Sequence, residues 1–134
     1  MGRNKKTSDL LTDFELQIMN IVWKLRSATV TDVIEKLPAN KDYAYTTIST
    51  MMRLLEQRGI LSTVKNGKTH IYVPEISQVD YEGKALNHVV QSLFRDEPTH
   101  LVRRLIDSKN LSASELDELR QMIDQKLDGG RYHL

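Results

Sequence analysis

Phe14, Ile18, Ile21, Val22 and Leu25 recur at i, i+4, i+7, i+8 and i+11, the spacing of one face of an α-helix. Thr12 stands before this run as an N-cap, and Glu15 three residues on completes the pair of a capping box. Arg26-Ser27-Ala28 breaks the period. Thr29 then starts a shorter helix through Leu37 that turns Val33, Ile34 and Leu37 inward, and Pro38 stops it because proline has no N–H to continue the ladder. Ala39 to Ala44 is polar turn material. Tyr45 to Arg58 reads as a third helix, closed by Gly59 where a left-handed C-cap favours glycine.

The period then changes from 3.6 to 2. Ile60 to Lys65 and Lys68 to Val73 are β-prone runs separated by Asn66-Gly67, and Asn-Gly predicts a hairpin turn in which both residues accept positive φ. Helix, helix, helix, hairpin is the order of a winged helix-turn-helix domain, assigned to Leu10 to Pro74, with the hairpin closing the core of the helical trio. Residues Met1 to Asp9 carry Arg3, Lys5 and Lys6 and nothing apolar to bury, which predicts a flexible basic arm.

Residues 75–134 are helical in pattern. Tyr81, Ala85, Val89, Val90, Leu93 and Phe94 mark one amphipathic helix, interrupted near Asp96-Glu97-Pro98. Leu101, Val102, Leu105 and Ile106 mark a second, from about Thr99 to Ser108. Ser112 caps a third, with Glu115 completing a capping box and Leu116, Leu119, Ile123 and Leu127 on one stripe. Three helices of this size are too few to hide all their apolar faces within one chain, which predicts a helical dimerisation domain. Leu86, Val89, Val90, Leu93, Leu101, Leu105, Leu116, Leu119, Ile123 and Leu127 form its interface with a second copy. The fold class expected is mainly α with a small β-hairpin wing.

The third helix has two faces. Ile48, Met51, Met52 and Leu55 cluster on one side; Thr46, Thr50, Arg53 and Gln57 lie opposite, with Ser49 and Glu56 at the edge and Thr47 beside Thr46. Hydroxyl residues are poor helix formers, so such a stripe on a solvent face costs stability without returning packing. It suits a recognition helix. Short hydroxyls let the backbone approach DNA, a Thr methyl packs on a thymine methyl, and Arg53 can bond a guanine bidentately or a phosphate. Thr46, Thr47, Ser49, Thr50 and Arg53 are therefore the candidate DNA-contacting residues on this helix, with Lys65, Asn66 and Lys68 at the hairpin tip.

Charge agrees with that division. Up to Val73 there are eleven basic and seven acidic residues, a net +4; from Pro74 onward there are eight basic and eleven acidic, a net −3. A basic front suits a nucleic acid, whose bound counterions are released to Lys and Arg. With no cysteine there is no disulfide, thiolate nucleophile or Cys-based metal site. The four histidines show no ligand spacing, and no nucleophile elbow, P-loop or dinucleotide fingerprint occurs, so neither catalysis, cofactor nor metal is expected. No apolar run approaches the roughly 20 residues that span a bilayer, and Met1-Gly2 lacks the Ser or Thr that myristoylation wants where Lys6 stands. The expected location is the cytoplasm, without direct membrane binding. From the residues alone, a protein-interaction winged helix or a small-ligand-responsive regulator stays open beside a DNA-binding repressor.

Leu11-Thr12-Asp13-Phe14-Glu15-Leu16-Gln17-Ile18-Met19 with Val22-Trp23, Tyr43-Ala44-Tyr45-Thr46-Thr47-Ile48 through Arg53-Leu54, Arg58-Gly59-Ile60-Leu61, and Asn110-Leu111-Ser112 with Glu115-Leu116 and Glu118-Leu119 form one pattern. It resembles the penicillinase-repressor family of bacterial regulators (BlaI/MecI/CopY) over roughly Leu11 to Leu127. The resemblance implies a homodimer that represses by occupying an inverted-repeat operator with TACA and TGTA half-sites. Thr46, Thr47, Ser49, Thr50 and Arg53 fall where that family's recognition helix meets DNA. In its β-lactam branch a membrane sensor-protease signals and the repressor is cleaved at an Asn-Phe bond. Here Phe94 follows Leu93, so that pair is absent from the dimerisation region, and so is the cysteine cluster of the copper-responsive branch.

Overall fold

The computed structural model describes residues 10–38 and 42–132. The arm expected at residues 1–9 and the turn residues 39–41 lie outside them. The chain forms two compact units, one reaching Ala85 and one starting at Leu86.

In the first unit, helices α1 (Asp13–Leu25), α2 (Val30–Lys36) and α3 (Tyr45–Gln57) precede strands β1 (Leu61–Asn66) and β2 (Thr69–Pro74). Both of the first two helices start as reciprocal capping boxes. Thr12 Oγ1 accepts the Glu15 N–H at 3.2 Å while Glu15 Oε1 accepts the Thr12 N–H at 2.9 Å. Thr29 and Asp32 repeat the exchange at 3.1 and 3.0 Å. Each box satisfies backbone donors that the helix itself leaves without partners. The end of α3 is a Schellman motif: Gly59, at φ +79, donates to Glu56 O at 2.9 Å and Ile60 to Leu55 O at 3.0 Å. Ile60 and Leu55 are both buried, the apolar contact that accompanies this motif.

The core is built from one face of each element. Ile18, Met19 and Val22 of α1, Val30 and Val33 of α2, Ile48, Met52 and Leu55 of α3, and Leu61 and Tyr72 of the hairpin are all buried. β1 and β2 pair antiparallel, and Ala28, between α1 and α2, exchanges both backbone hydrogen bonds with Tyr72 at 2.8 and 3.0 Å. The wing is thereby stitched to the helices at its root.

The hairpin turn differs from the Asn66-Gly67 turn expected. Asn66 pairs with Thr69, so the two turn residues are Gly67 and Lys68, and only Gly67 has positive φ, at +64. A turn with glycine first needs positive φ at that residue alone, whereas Asn-Gly needs it at both. The shift sets the β-branched Val64 opposite Ile71 and Thr63 opposite Tyr72. Partners change by two residues, so each side chain keeps the sheet face it was expected to take.

The first unit also reaches beyond Pro74, where the sequence had suggested a border. Helix α4 (Gln78–Ser92) begins within it. Tyr81 is buried, its ring centroid 5.8 Å from that of Trp23, and its Oη accepts the Leu11 N–H at 2.8 Å. Trp23 Nε1 donates to Ile76 O at 2.9 Å. Tyr81, read as part of a C-terminal amphipathic face, instead packs on α1.

The second unit holds the rest of α4, helix α5 (Pro98–Asp107) and helix α6 (Ala113–Tyr132). The turn before α5 places Arg95 and Asp96 at φ +53 and +65, and the Asp96 N–H returns to Val90 O at 2.9 Å. Phe94 meets His100 edge to face, centroids 5.1 Å apart. Ser112 and Glu115 form the expected capping box at 2.9 and 3.1 Å.

Leu55→Ala should lower the free energy of unfolding by about 2–5 kcal/mol, the cost of a cavity under the wing. Thr12→Ala should cost about 1 kcal/mol. Urea denaturation followed by circular dichroism measures both.

Candidate nucleic-acid interface

Because Ile48, Met52 and Leu55 are each 0% exposed, α3 turns its opposite side to solvent. Thr46, Thr47, Thr50, Arg53 and Gln57 are exposed, and Ser49 is half-buried at the edge, where its position on the helix predicted it. Ala44 caps α3 without a side-chain hydrogen bond, and no acidic residue occupies its first turn. The first turn of α3 thus lacks the carboxylates that offset the helix dipole in the first turn of α1, Asp13 and Glu15. An anion such as a phosphate suits that end.

Lys65, Asn66 and Lys68 are all exposed on the wing, Lys68 within the turn and Lys65 opposite His70. A concavity of about 350 Å³ joins the wing to the start of α2 and to α3, lined by Thr29, Val30, Thr31, Tyr45, Ser49, Lys68, Thr69, His70 and Tyr72. This brings Ser49 and Lys68, two predicted residues far apart in sequence, into one surface. It also adds polar groups that sequence reasoning missed. In the sequence Thr29 reads only as a cap, and nothing in the local pattern of Thr31, Tyr45, Thr69 or His70 signals that the hairpin carries them together. Tyr45, at 58% exposed, lies one turn before Ser49 on that same edge of α3.

Glu56 sits at the other edge of the stripe, and its carboxylate is drawn toward the wing by the Thr63 hydroxyl, which donates to Oε2 at 2.8 Å. Burial and the Glu56 charge push the Tyr72 phenol up, partly opposed by Arg53, so Tyr72 stays neutral at the foot of the wing.

The C-terminal end of α3 is fastened to α1. Arg58, its C-cap, donates from Nη1 to Glu15 Oε2 at 2.9 Å and from Nη2 to Leu10 O at 3.2 Å. Their side chains are only 24% and 13% exposed. Burial pushes the Glu15 carboxyl up, but the Thr12 N–H and hydroxyl and the Arg58 guanidinium outweigh it and hold it below the usual carboxylate range.

The residues expected at a dimer interface lie in the second unit. Leu86, Val89, Leu93, Leu105, Leu116, Ile123 and Leu127 are exposed, while Val90, Leu101 and Leu119 are half-buried. Val102, Ile106 and Met122 add to the exposed apolar surface. Among the described residues no cluster of three or more His, Asp or Glu could hold a metal ion, and no helix is long and apolar enough to cross a membrane.

Comparison with known proteins decides the lineage. A family model described as penicillinase repressor matches residues 11–125. The chain belongs to the penicillinase repressor family. Within that family, the penicillinase repressor of Bacillus licheniformis is 27% identical over 115 residues, covering 86% of this chain and 90% of that one. The methicillin resistance regulatory protein MecI of Staphylococcus aureus (strain N315) is 25% identical over 116 residues, covering 87% and 94%. The solution structure of the DNA binding domain of the repressor BlaI superposes with a TM-score of 0.48 at 33% identity, covering 55% of this chain and 89% of that one.

Stability should fall as acid protonates Glu15. Its folded pKa is depressed, so the pair's contribution is present above the unfolded value of 4.5 and is lost as pH drops through the lower folded value. In denaturant titrations across that range, Arg58→Met should show a shallower acid loss than the natural chain. Parallel curves would mean that the pair does not hold Glu15 ionised.

Proposed function

We propose that this penicillinase-repressor relative is a sequence-specific DNA-binding repressor that occupies a two-fold symmetric operator as a homodimer. The observation that carries the reading is the exposed stripe of Thr46, Thr47, Thr50 and Arg53 on a helix that buries Ile48, Met52 and Leu55 on its other side, beside a lysine-bearing wing. The relatives' names as repressors support it, and so does the net positive charge of the chain up to Val73.

In this reading α3 enters the major groove with its N-terminal residues nearest the base edges. Thr46, Thr47, Ser49 and Thr50 meet phosphates and thymine methyls at short range, and Arg53 bonds a guanine or a phosphate. Lys65, Asn66 and Lys68 touch the backbone or minor groove beside it. The second unit pairs with its copy through Leu86, Val89, Leu93, Leu105, Leu116, Ile123 and Leu127, whose exposure leaves apolar area that association would remove from water. Two copies present two recognition helices, and the operator is then an inverted repeat of TACA and TGTA half-sites.

The test is binding to a duplex carrying those half-sites and to a scrambled duplex, across a salt series, with the mass of the complex recorded. A dimer that prefers the repeat by at least about a thousandfold, with affinity falling as salt rises, supports the reading. Equal binding to both duplexes overturns it. Arg53→Ala should cost about 1–3 kcal/mol on the repeat, more than on scrambled DNA if Arg53 reads a base. Lys68→Ala should weaken binding to both alike and lower the salt slope by about 0.9. Ile123→Asp should give a monomer in sedimentation and lose the preference for two half-sites over one; a dimeric Ile123→Asp variant would refute the interface.

A further inference from the structure

Two consecutive residues in the first turn of α1 hold both ends of α3. At one end the Phe14 ring stacks on Tyr43, two residues before the helix, with centroids 5.5 Å apart and planes 20° from parallel. At the other, Glu15 accepts the Arg58 guanidinium at 2.9 Å. The neighbouring Leu10 carbonyl takes the second arm of the fork, and Glu15 cannot swing away because its other oxygen is bonded to the Thr12 N–H.

We infer that Glu15 and Arg58, with Phe14 and Tyr43, are positioning residues that fix the rotation and height of α3 at the groove and so set operator discrimination. The inference rests on the DNA-binding reading above. Apolar burial through Ile48, Met52 and Leu55 is non-directional: it resists separation of α3 from the core but only weakly resists sliding or rolling. Base readout needs side-chain atoms held within about 0.5 Å of the productive geometry. A planar fork at one end and a stacked ring at the other supply the missing directions.

Stability alone is a poor account of the pair. Replacing a largely buried ion pair with apolar side chains is often neutral or stabilising. Arg58 Nε is moreover buried without a hydrogen-bond partner. The chain also withholds this guanidinium from phosphates, since Arg58 is committed inward to Glu15 and Leu10.

The experiment compares the full-length natural protein with Arg58→Lys, Arg58→Met, Glu15→Gln, the Glu15→Gln/Arg58→Met double variant and Tyr43→Leu. Affinities for the TACA/TGTA duplex and the scrambled duplex are measured over a salt series, at a temperature where circular dichroism shows each variant folded. Arg58→Met should lower the ratio of the two affinities at least about fivefold, near the lower cost of one mismatched base pair, while scrambled-DNA affinity and the salt slope stay put. The double variant should lose no more than the worse single one, because the residues act as a unit. Arg58→Lys should fall between, since an ammonium meets Glu15 but offers no planar fork to reach Leu10 as well. It also keeps the test decisive if Arg58→Met does not fold. Unchanged ratios in folded variants would make the clamp merely structural and overturn the inference. So would a salt slope lowered by about 0.9 in Arg58→Met, which would make Arg58 a direct phosphate contact. A natural protein that does not discriminate brings down the DNA-binding reading and the inference together; one that discriminates, beside variants that do so equally, brings down the inference alone.

Discussion

The first unit depends on one constraint: α3 has to bury Ile48, Met52 and Leu55 completely, and a helix that surrenders one side so fully has only its other side to show. α2 and strand β1 lie directly against the buried side, α1 adds Ile18, Met19 and Val22 to the same core, and Leu61 and Tyr72 of the hairpin close it. The three helices alone would leave that floor open, so the hairpin that presents the lysines at its tip is also what shuts the core at its root. The apparatus for contact and the apparatus for stability are therefore the same elements, seen from opposite sides.

Directional interactions then refine what the apolar core leaves loose. The capping boxes of α1 and α2 define where those helices begin, the Schellman turn at Gly59 defines where α3 ends, and Glu15 serves both a cap and an inter-helix ion pair. The second unit is built on a different plan. Its apolar side chains stay largely in view, from Leu86 through Leu127, and a helix such as α5 with no buried residue has no core of its own to belong to.

Local rules made much of this legible from the residues. Thr12 with Glu15, Thr29, Pro38, Gly59, and Ser112 with Glu115 each act within a turn or two of themselves, and each helix boundary that they mark falls within two residues of the one expected. The outward stripe of α3 followed from its period of 3.6. What escaped the sequence is non-local. Arg58 and Glu15 lie 43 residues apart, and Leu11 and Tyr81 lie 70 apart, so no periodicity links them. The isolated bridge at Ala28 is a single residue, too short to leave a β pattern. The turn at Gly67-Lys68 lies one residue beyond the one expected because Gly67 takes positive φ in either register, and cross-strand pairing settled that Asn66 joins the strand instead of the turn.

The pairing of Ala28 with Tyr72 also divides the hairpin in time. Near Tyr72 the ladder is bonded on both sides and leans on buried Leu61 and Ile60, so those amides open to water only when the helical core itself opens. Beyond Lys65 the two strands have only each other and solvent, and their hydrogen bonds can break and re-form while the core stays shut. The wing is thus clamped at one end: its root at Tyr72 is held by Ala28 and, through Thr63, by Glu56 of α3, while its tip has the freedom to follow the contour of whatever it meets.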